Sequence, residues 1–372
     1  MKILTITCHD VYNFGASLQA YALMTYLKSL GNEVYVIDYL PKYIRDFNSF
    51  WFISKKYKKN PFIAFAYYSF VLPTRLAQRQ MRKNFRNFIE DKLNLTKRYN
   101  SFEDLKSCPP EADIIFCGSD QIWNTEIKNG LDPSFYADFA KPNTIRASYA
   151  ASFSISEIPE NHIPFVRKML KNMDRISVRE NTGLKILDSL NIKGGVNVID
   201  PVFLLSKQRW DRLTIPINIK DKYVLVYDQE NNKEIKKIAL RIAKEKNLKI
   251  YAFKDLYPRF YADKQITDAG PIEFLTYIKN AKYVVTNSFH CTAFSLIFGK
   301  EFFVVARTRQ KVNSRMEDLL SMLQLSERYI SCEHDVVYTP IDFNSVTSIL
   351  EDKIKYSKNY ISEVIDLAKN KQ

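Results

Sequence analysis

The chain has few cysteines, and no long stretch of it is apolar. None of its five cysteines (Cys8, Cys108, Cys117, Cys291 and Cys332) belongs to a C-x-x-C pair. This spacing argues against a disulfide scaffold and a structural zinc site, so we expect reduced cysteines in a cytosolic protein. The chain contains no run of about 18 uncharged apolar residues, so the sequence does not predict a transmembrane helix. The opening MKILTITCHD predicts a strand instead of the apolar region of a signal peptide.

Acidic residues are also scarce, and the resulting positive charge is unevenly distributed. The chain carries 55 Lys and Arg residues against 41 Asp and Glu residues. Residues 41–100, here called the basic-aromatic segment, contain fourteen Lys or Arg residues but only three acidic ones. An aromatic group is followed there by a lysine cluster: Phe50, Trp51, Phe52, Lys55, Lys56, Lys58 and Lys59. Residues 47–86 therefore predict contact with an anionic membrane surface, and the alternative is an ordinary solvated helical face. No nucleic-acid motif accompanies the charge, so no nucleic-acid partner is predicted.

Two series of alternating strands and helices predict an α/β protein with two Rossmann-like domains facing a cleft. The length of 372 residues exceeds what one core usually supports. We expect an N-terminal domain over residues 1–210, with residues 41–100 as a helical insertion. A charged stretch over 206–222 predicts a linker to a second domain over 220–345. A terminal helix is predicted over 346–372.

The most informative stretch is AKYVVTNSFHCTAFSLIFGKEFFVVA, residues 281–306. It predicts a strand over Ala281–Thr286, a turn, a helix over Cys291–Phe298 and a second strand over Glu301–Ala306. The turn would lie at the carboxyl edge of a parallel sheet, where such sheets bind ligands and helix N-termini favour anions. His290 lies in this turn beside Ser288, a predicted helix cap, so His290 is the predicted proton-transfer residue.

Two loops of the N-terminal half predict contacts with hydroxyl groups. CHDVYNFGAS (8–17) lacks the G-x-G-x-x-G pattern of dinucleotide sites, but its Gly15 allows close backbone approach. Asp10 and Asn13 in this loop predict either acceptor contacts or an ordinary turn, and a His9–Asp10 acid/base pair is a further alternative.

The second loop is GSDQIWN (118–124), at the end of a central strand. Asp120, Gln121 and Asn124 suit hydrogen bonding to a sugar, with Trp123 as a stacking face. The alternative is a turn built around a buried tryptophan.

Two groups of cations are candidates for binding an anionic donor. Arg179 in SVRE (177–180) ends a predicted strand, where it would clamp a phosphate or form a structural ion pair. A second group follows the 301–306 strand and consists of Arg307, Arg309, Lys311 and Arg315. Its alternative is a solvated charged face.

Six motifs in order resemble the polysaccharide pyruvyl transferase family and cover most of the chain. They are NFGASLQAYAL (13–23), GSDQIWN (118–124), SVRE (177–180), DPVFLL (200–205), NSFHCTAFSLIFGK (287–300) and NSRMEDLL (313–320). The resemblance implies a glycosyltransferase-B-like fold and transfer of the enolpyruvyl unit of phosphoenolpyruvate onto two sugar hydroxyls as a ketal. It implies that Arg179 and His290 engage the donor, with Ser288 and Phe289 beside them. Some members carry arginine where this chain has Ser288, and the cations of 307–315 are expected to substitute.

The expected ligands follow from this resemblance and from the site chemistry. Phosphoenolpyruvate is a co-substrate, and neither a cofactor nor a metal is expected. The acceptor would be a sugar or lipid-linked oligosaccharide in surface polysaccharide synthesis, at the inner face of the membrane. Two alternatives are a glycosyltransferase that uses a nucleotide sugar, and a non-catalytic glycan- or lipid-binding protein.

Overall fold

The structure is a computed structural model that describes residues 1–48, 60–254, 258–308 and 313–371. Several residues of the sequence predictions lie outside these described ranges. They are Phe50, Trp51, Phe52, Lys55, Lys56, Lys58, Lys59, Arg309 and Lys311. Predictions that rest on them stay predictions.

The N-terminal half of the chain forms a parallel five-stranded sheet in the order β3-β2-β1-β4-β5. The strands are β1 (Lys2–Ile6), β2 (Glu33–Tyr39), β3 (Leu95–Tyr99), β4 (Ile114–Cys117) and β5 (Ile145–Ser148). A short parallel pair, β6 (Ser177–Val178) and β7 (Val196–Asn197), continues beyond β5 through bridges such as Ala151 to Val178. Apolar runs such as KILTI and IIFC suit this sheet because parallel strands are covered on both faces.

Helices connect the strands of the N-terminal sheet. They are α1 (Phe14–Ser29), α2 (Lys42–Asn48), α3 (Pro61–Ala77), α4 (Arg79–Lys92), α5 (Phe102–Ser107), α6 (Ile163–Lys171) and α7 (Asn181–Ser189). The sequence predicts breaks at Pro61 and Pro73, followed by one helix from Thr74 to Lys92. The structure instead has two helices that meet at Gln78, with Pro61 beginning α3 and Pro73 inside it. Proline is well accommodated in a first helical turn, where its missing N–H has no helical partner.

The second half of the chain forms a parallel six-stranded sheet in the order β10-β9-β8-β11-β12-β13. Its strands are β8 (Tyr223–Tyr227), β9 (Lys249–Phe253), β10 (Lys264–Ile266), β11 (Tyr283–Thr286), β12 (Glu301–Val305) and β13 (Tyr329–Ile330). Its helices are α8 (Lys207–Asp211), α9 (Lys233–Lys246), α10 (Pro271–Asn280), α11 (Phe289–Ile297) and α12 (Ser314–Met322). The predicted linker 206–222 thus contains α8, whose buried Trp210 donates a hydrogen bond to the carbonyl of Val202.

The last helix, α13 (Phe343–Lys369), returns to the N-terminal sheet. The Tyr360 hydroxyl donates to the carbonyl of Ser148 at 2.8 Å, and the Ser357 hydroxyl accepts from the Ile199 amide at 2.9 Å. The chain therefore passes from one sheet to the other near 206–222 and back again before α13. No helix within the described ranges has the length and apolarity needed to cross a bilayer.

An aromatic cluster centred on Phe14 joins the two halves. Phe14, the first residue of α1, stacks on Phe274 of α10 with ring centroids 4.5 Å apart. It also contacts Phe85 of α4, Tyr227 and Phe253. These rings belong to one apolar core that continues from the N-terminal sheet into the C-terminal sheet. Burial of large rings is strongly favourable, so this cluster fixes where the start of α1 lies relative to the second sheet.

Candidate functional site

The N-termini of α1 and α11 meet between the two sheets. Asn13 caps α1, with its side-chain oxygen accepting from the Ala16 amide at 3.2 Å. Ser288 caps α11 by accepting from the Cys291 amide at 3.5 Å, as its predicted capping role requires. Helix α11 begins at the carboxyl end of β11, which is the placement predicted from residues 281–306. Two helix N-termini at one place favour an anion.

Gly15 provides the space in which the His290 ring lies. A Cβ atom at position 15 would stand 2.0 Å from Nδ1 of His290, far inside van der Waals contact. The sequence predicts that Gly15 lets the backbone approach a ligand, whereas the structure shows it in contact with this imidazole. The missing side chain is therefore a condition for the position of His290.

Asp200 lies between His290, on α11 of the C-terminal domain, and Arg179, which directly follows β6. Its Oδ2 atom lies 3.4 Å from Nε2 of His290 and 3.1 Å from Nε of Arg179. Its Oδ1 atom accepts from the Val202 amide at 3.0 Å. Burial alone would raise the pKa of Asp200, but the Arg179 cation and His290 reverse this effect and lower it to about 2. Asp200 is therefore a carboxylate that stays ionised and holds both side chains in place.

Arg179 forms the structural ion pair that is one of its two predicted roles. It is buried, lies in an ion pair with Asp200, and donates to the Ser119 hydroxyl. Its Nη1 atom lies 4.0 Å from Oδ1 of Asp120 but has no hydrogen-bond partner among the described residues. The structural ion pair thus leaves a buried donor beside His290.

A second arginine lies near the Phe289 ring. The guanidinium carbons of Arg179 and Arg315 lie 5.2 Å and 5.8 Å from the ring centroid, so both cations are close to the same aromatic ring. Nη1 of Arg315 lies 3.7 Å from Oδ1 of Asp120. Burial and the nearby Arg179 cation lower the pKa of Arg315 to about 10. Both effects mark a place where an added anion would be strongly stabilised.

Arg307 supports the turn before α11, the helix that carries His290. Its Nε atom donates to the Asn287 carbonyl at 3.2 Å, and its amide donates to the Asn313 side chain at 2.9 Å. Burial lowers the pKa of Arg307. Arg307 therefore joins the turn before α11 to the residue before α12.

The loop over 118–124 has two half-buried residues, Asp120 and Gln121, and is otherwise buried. Asp120 adopts the left-handed conformation (φ 77°), and with Gln121 and Asn13 it lines a cavity of about 540 Å³ between the domains. We call this space the interdomain cavity. Tyr227 and Phe253 form part of its opposite wall.

Trp123 and Asn124 need correction as acceptor contacts. Trp123 is fully buried, stacks on Tyr136 and donates its indole N–H to the Phe135 carbonyl. Asn124 is buried and bonded to the side chain of Gln121. The alternative interpretation, a turn built around a buried tryptophan, describes these two residues.

Asp10 lies away from His290, on the side of α4. Its carboxylate is 3.7 Å from Arg98, which also pairs with Asp38 at 2.9 Å. The neighbouring His9 is buried and lies 3.3 Å from Asp38. The possible His9–Asp10 acid/base pair is therefore replaced by a His9–Asp38 pair. Within the part of the chain that the structure describes, no group of three His, Cys, Asp or Glu residues could hold a metal ion.

Comparison with known proteins agrees with this geometry. A family model described as polysaccharide pyruvyl transferase matches residues 13–309 of the chain. No curated protein matches it by sequence.

Two solved structures share the fold at low sequence identity. A putative UDP-N-acetylglucosamine 2-epimerase from Listeria monocytogenes is 9% identical, with a TM-score of 0.52 over 95% of this chain and 90% of that chain. The glycosyltransferase AviGT4, involved in avilamycin A biosynthesis, is 11% identical, with a TM-score of 0.51 over 99% and 98% of the two chains. These similarities confirm the predicted glycosyltransferase-B-like fold with two Rossmann-like domains.

Gly15→Ala should destabilise the protein only while His290 is present. Alanine is favoured over glycine within helices by about 1 kcal/mol, but the added methyl overlaps the imidazole, and overpacking of this kind costs about 1–3 kcal/mol. In a His290→Gly background the ring and the Cβ atom, which would stand 2.8 Å from the added methyl, are both absent, so Gly15→Ala should become neutral or stabilising. Urea unfolding of the four proteins in this double-mutant cycle measures the coupling. An equal cost in both backgrounds would contradict the contact.

Asp200 should make stability depend on acid pH. The pKa of Asp200 in the folded protein is about 2, which lies below the ordinary aspartate pKa. Its contribution to the free energy of unfolding is therefore complete above the ordinary pKa and is lost as the pH falls towards about 2. Asp200→Asn should therefore lose less stability than the wild type between about pH 5 and about pH 3. The matched control is Asp352→Asn, at an exposed position of α13. The prediction fails if both variants follow the wild-type pH dependence.

Proposed function

Because the chain belongs to the polysaccharide pyruvyl transferase family, we propose that it moves the enolpyruvyl unit of phosphoenolpyruvate onto two hydroxyls of a sugar as a ketal. One observation carries the proposal: His290, Arg179 and Arg315 meet at the N-termini of α1 and α11. Surface polysaccharide synthesis is the proposed context. The acceptor is a sugar or a lipid-linked oligosaccharide.

The donor is a small molecule that carries a carboxylate and a phosphate. Its binding needs several cations and N–H donors within a few ångströms of one another. Arg179 and Arg315, both near the Phe289 ring, would supply guanidinium donors, and α11 would supply its first-turn amides. Arg307 holds the turn in place, and Arg309 and Lys311 remain proposed donor contacts.

The reaction requires proton transfer at defined atoms. A proton is added to the methylene carbon C3 of phosphoenolpyruvate, and the adjacent carbon C2 becomes cationic. One sugar hydroxyl bonds to C2 and loses its proton. The C2–O bond to phosphate then breaks with its electron pair on phosphate, and the second hydroxyl bonds to C2 and loses its proton. Of the two hydroxyl protons, one restores the group that protonated C3 and the other leaves with the phosphate. In this proposal His290 delivers the proton to C3, and Asp200 is a positioning residue that orients the imidazole.

The acceptor sugar would enter the interdomain cavity. Asn13, Asp120 and Gln121 line it, and their short polar side chains hydrogen-bond hydroxyl groups. Asp120 also lies within 4.0 Å of both arginines, so a hydroxyl bonded to it would lie beside the donor anion. This arrangement brings both substrates to His290.

The basic-aromatic segment would place the enzyme at the inner face of an anionic membrane. On α3 the side chains of Phe62, Ile63 and Phe65 are 84%, 48% and 75% exposed. Helix α4 follows with several cations. Exposed apolar side chains beside basic residues suit shallow insertion together with attraction to anionic lipid.

His290→Gln should lower phosphate release from phosphoenolpyruvate by at least about a hundredfold, since acid–base groups contribute about 10²–10⁴-fold. Phosphate release is measured with sugar and lipid-linked acceptors, together with the mass gain of the acceptor. His334→Gln is the matched control, because the His334 side chain is 84% exposed. Full activity of His290→Gln would remove this residue from the chemistry. Absence of phosphate release by the wild type with every acceptor would contradict the proposed reaction.

Replacement of Phe62, Ile63 and Phe65 by serine should reduce sedimentation with anionic vesicles at low salt. The control replaces three exposed apolar residues of the second half, Phe260, Val337 and Tyr356. Added salt should weaken binding further, since the Debye length is about 8 Å at physiological ionic strength. Equal sedimentation of both variants, or equal binding to neutral vesicles, would end the membrane proposal.

A further inference from the structure

A second cavity, of about 1310 Å³, lies beside α4 and apart from the donor cations. We call it the basic cavity. Its wall is formed by α2, α3, α4, β3 and the loop after β1. The cations that line it are Arg45, Arg79, Arg82, Lys83, Arg86 and Arg98, and Asp10 and Glu90 are the acidic residues among its walls. Positive charge therefore predominates around one concave space.

Among the described residues, most of these cations have no ion-pair partner. Arg98 pairs with Asp38 and Asp10. The side chains of Arg45, Arg79, Lys83 and Arg86 form no ion pair with any described residue. A cavity with four such cations, and with Glu90 as the remaining carboxylate of its wall, attracts anions because its walls concentrate the field.

The sequence of α4 is unfavourable for a helix that serves only the fold. Arg79 and Lys83 are four residues apart, as are Arg82 and Arg86, and like charges at this spacing destabilise a helix. Cations in the first turn also oppose the helix dipole, and no acidic residue is present there. Gln78 makes no side-chain capping bond. Local rules broken together in this way are typical of a functional site.

The basic cavity adjoins the interdomain cavity. Val11, Tyr12, Arg82 and Phe85 line both spaces. The Arg82 guanidinium lies 4.5 Å from the centroid of the Tyr12 ring, at this shared wall. One extended molecule can therefore place a polar group beside Asp120 and an anionic group among the α4 cations.

We propose that the basic cavity binds the diphosphate group of a glycosyl diphosphate acceptor, whose sugar occupies the interdomain cavity. A diphosphate offers several charged oxygens along one chain, which matches cations distributed over two turns of α4, whereas one carboxylate would leave most of them uncompensated. The inference rests on the proposed function, since it defines the class of acceptor for that reaction. A nucleoside diphosphate sugar and a prenyl diphosphate sugar present the same group.

Calorimetric titration with inorganic diphosphate tests the cavity without any turnover. The triple variant Arg79→Gln, Lys83→Gln, Arg86→Gln should bind at least about tenfold more weakly than the wild type, because charged hydrogen bonds are lost. The matched control, Lys233→Gln, Lys244→Gln, Lys355→Gln, removes the same charge from exposed positions elsewhere and should bind normally. The titration is repeated in the Arg315→Gln background, because the donor cations can also bind diphosphate, and the α4 triple variant should weaken the remaining binding there by the same factor. Equal binding by the α4 triple variant and its control in the Arg315→Gln background would overturn the assignment.

Two further titrations identify the carrier, with UDP-N-acetylglucosamine and with farnesyl-diphosphate-linked N-acetylglucosamine. Binding of either that weakens at least about tenfold in the α4 triple variant, but not in the control, supports the proposal and names the carrier. If neither binds in this cavity-dependent way, the acceptor assignment is overturned. The outcome is independent of the phosphate-release assay, so a failure of the proposed reaction and a failure of this inference are read from different measurements.

Discussion

The candidate site depends on one close approach, that of α1 to the His290 ring at Gly15. A side chain at this position would occupy the space of Nδ1, so the histidine could not lie where Asp200 reaches it. Asp200 in turn holds Arg179, which contacts Ser119. The absence of a side chain at Gly15 therefore allows His290, Asp200 and Arg179 to lie together.

The site is assembled from both halves of the chain, so its geometry depends on how the sheets are held together. Asp200 and Arg179 come from the first half, whereas His290 and Arg315 come from the second. The rings around Phe14 fix the start of α1 against α10, one residue before Gly15. Apolar packing therefore sets the distances between the charges, and the charges alone would not.

The sequence predicted the local elements well where periodicity was strong. The strand predicted over Ala281–Thr286 spans Tyr283–Thr286, and the strand predicted over Glu301–Ala306 spans Glu301–Val305. His290, predicted in the turn between strand and helix, is instead the second residue of α11, still at the carboxyl edge of the sheet. Contacts between distant residues could not be predicted in this way. The sequence predicts no role for Asp200, because nothing local marks a carboxylate whose partners lie elsewhere in the chain. Trp123 was misplaced for the same reason, since its burial depends on Tyr136 and Phe135.

The return of α13 to the N-terminal sheet has a mechanical consequence. The two sheets are joined by two chain crossings, one near 206–222 and one before α13, and α13 is fastened to β5 through Tyr360. Any rotation of one sheet against the other must therefore twist both crossings at once, and it must also separate the rings packed around Phe14. Rotation about the line through the two crossings would displace the connections least. Such a rotation would change the width of the interdomain cavity.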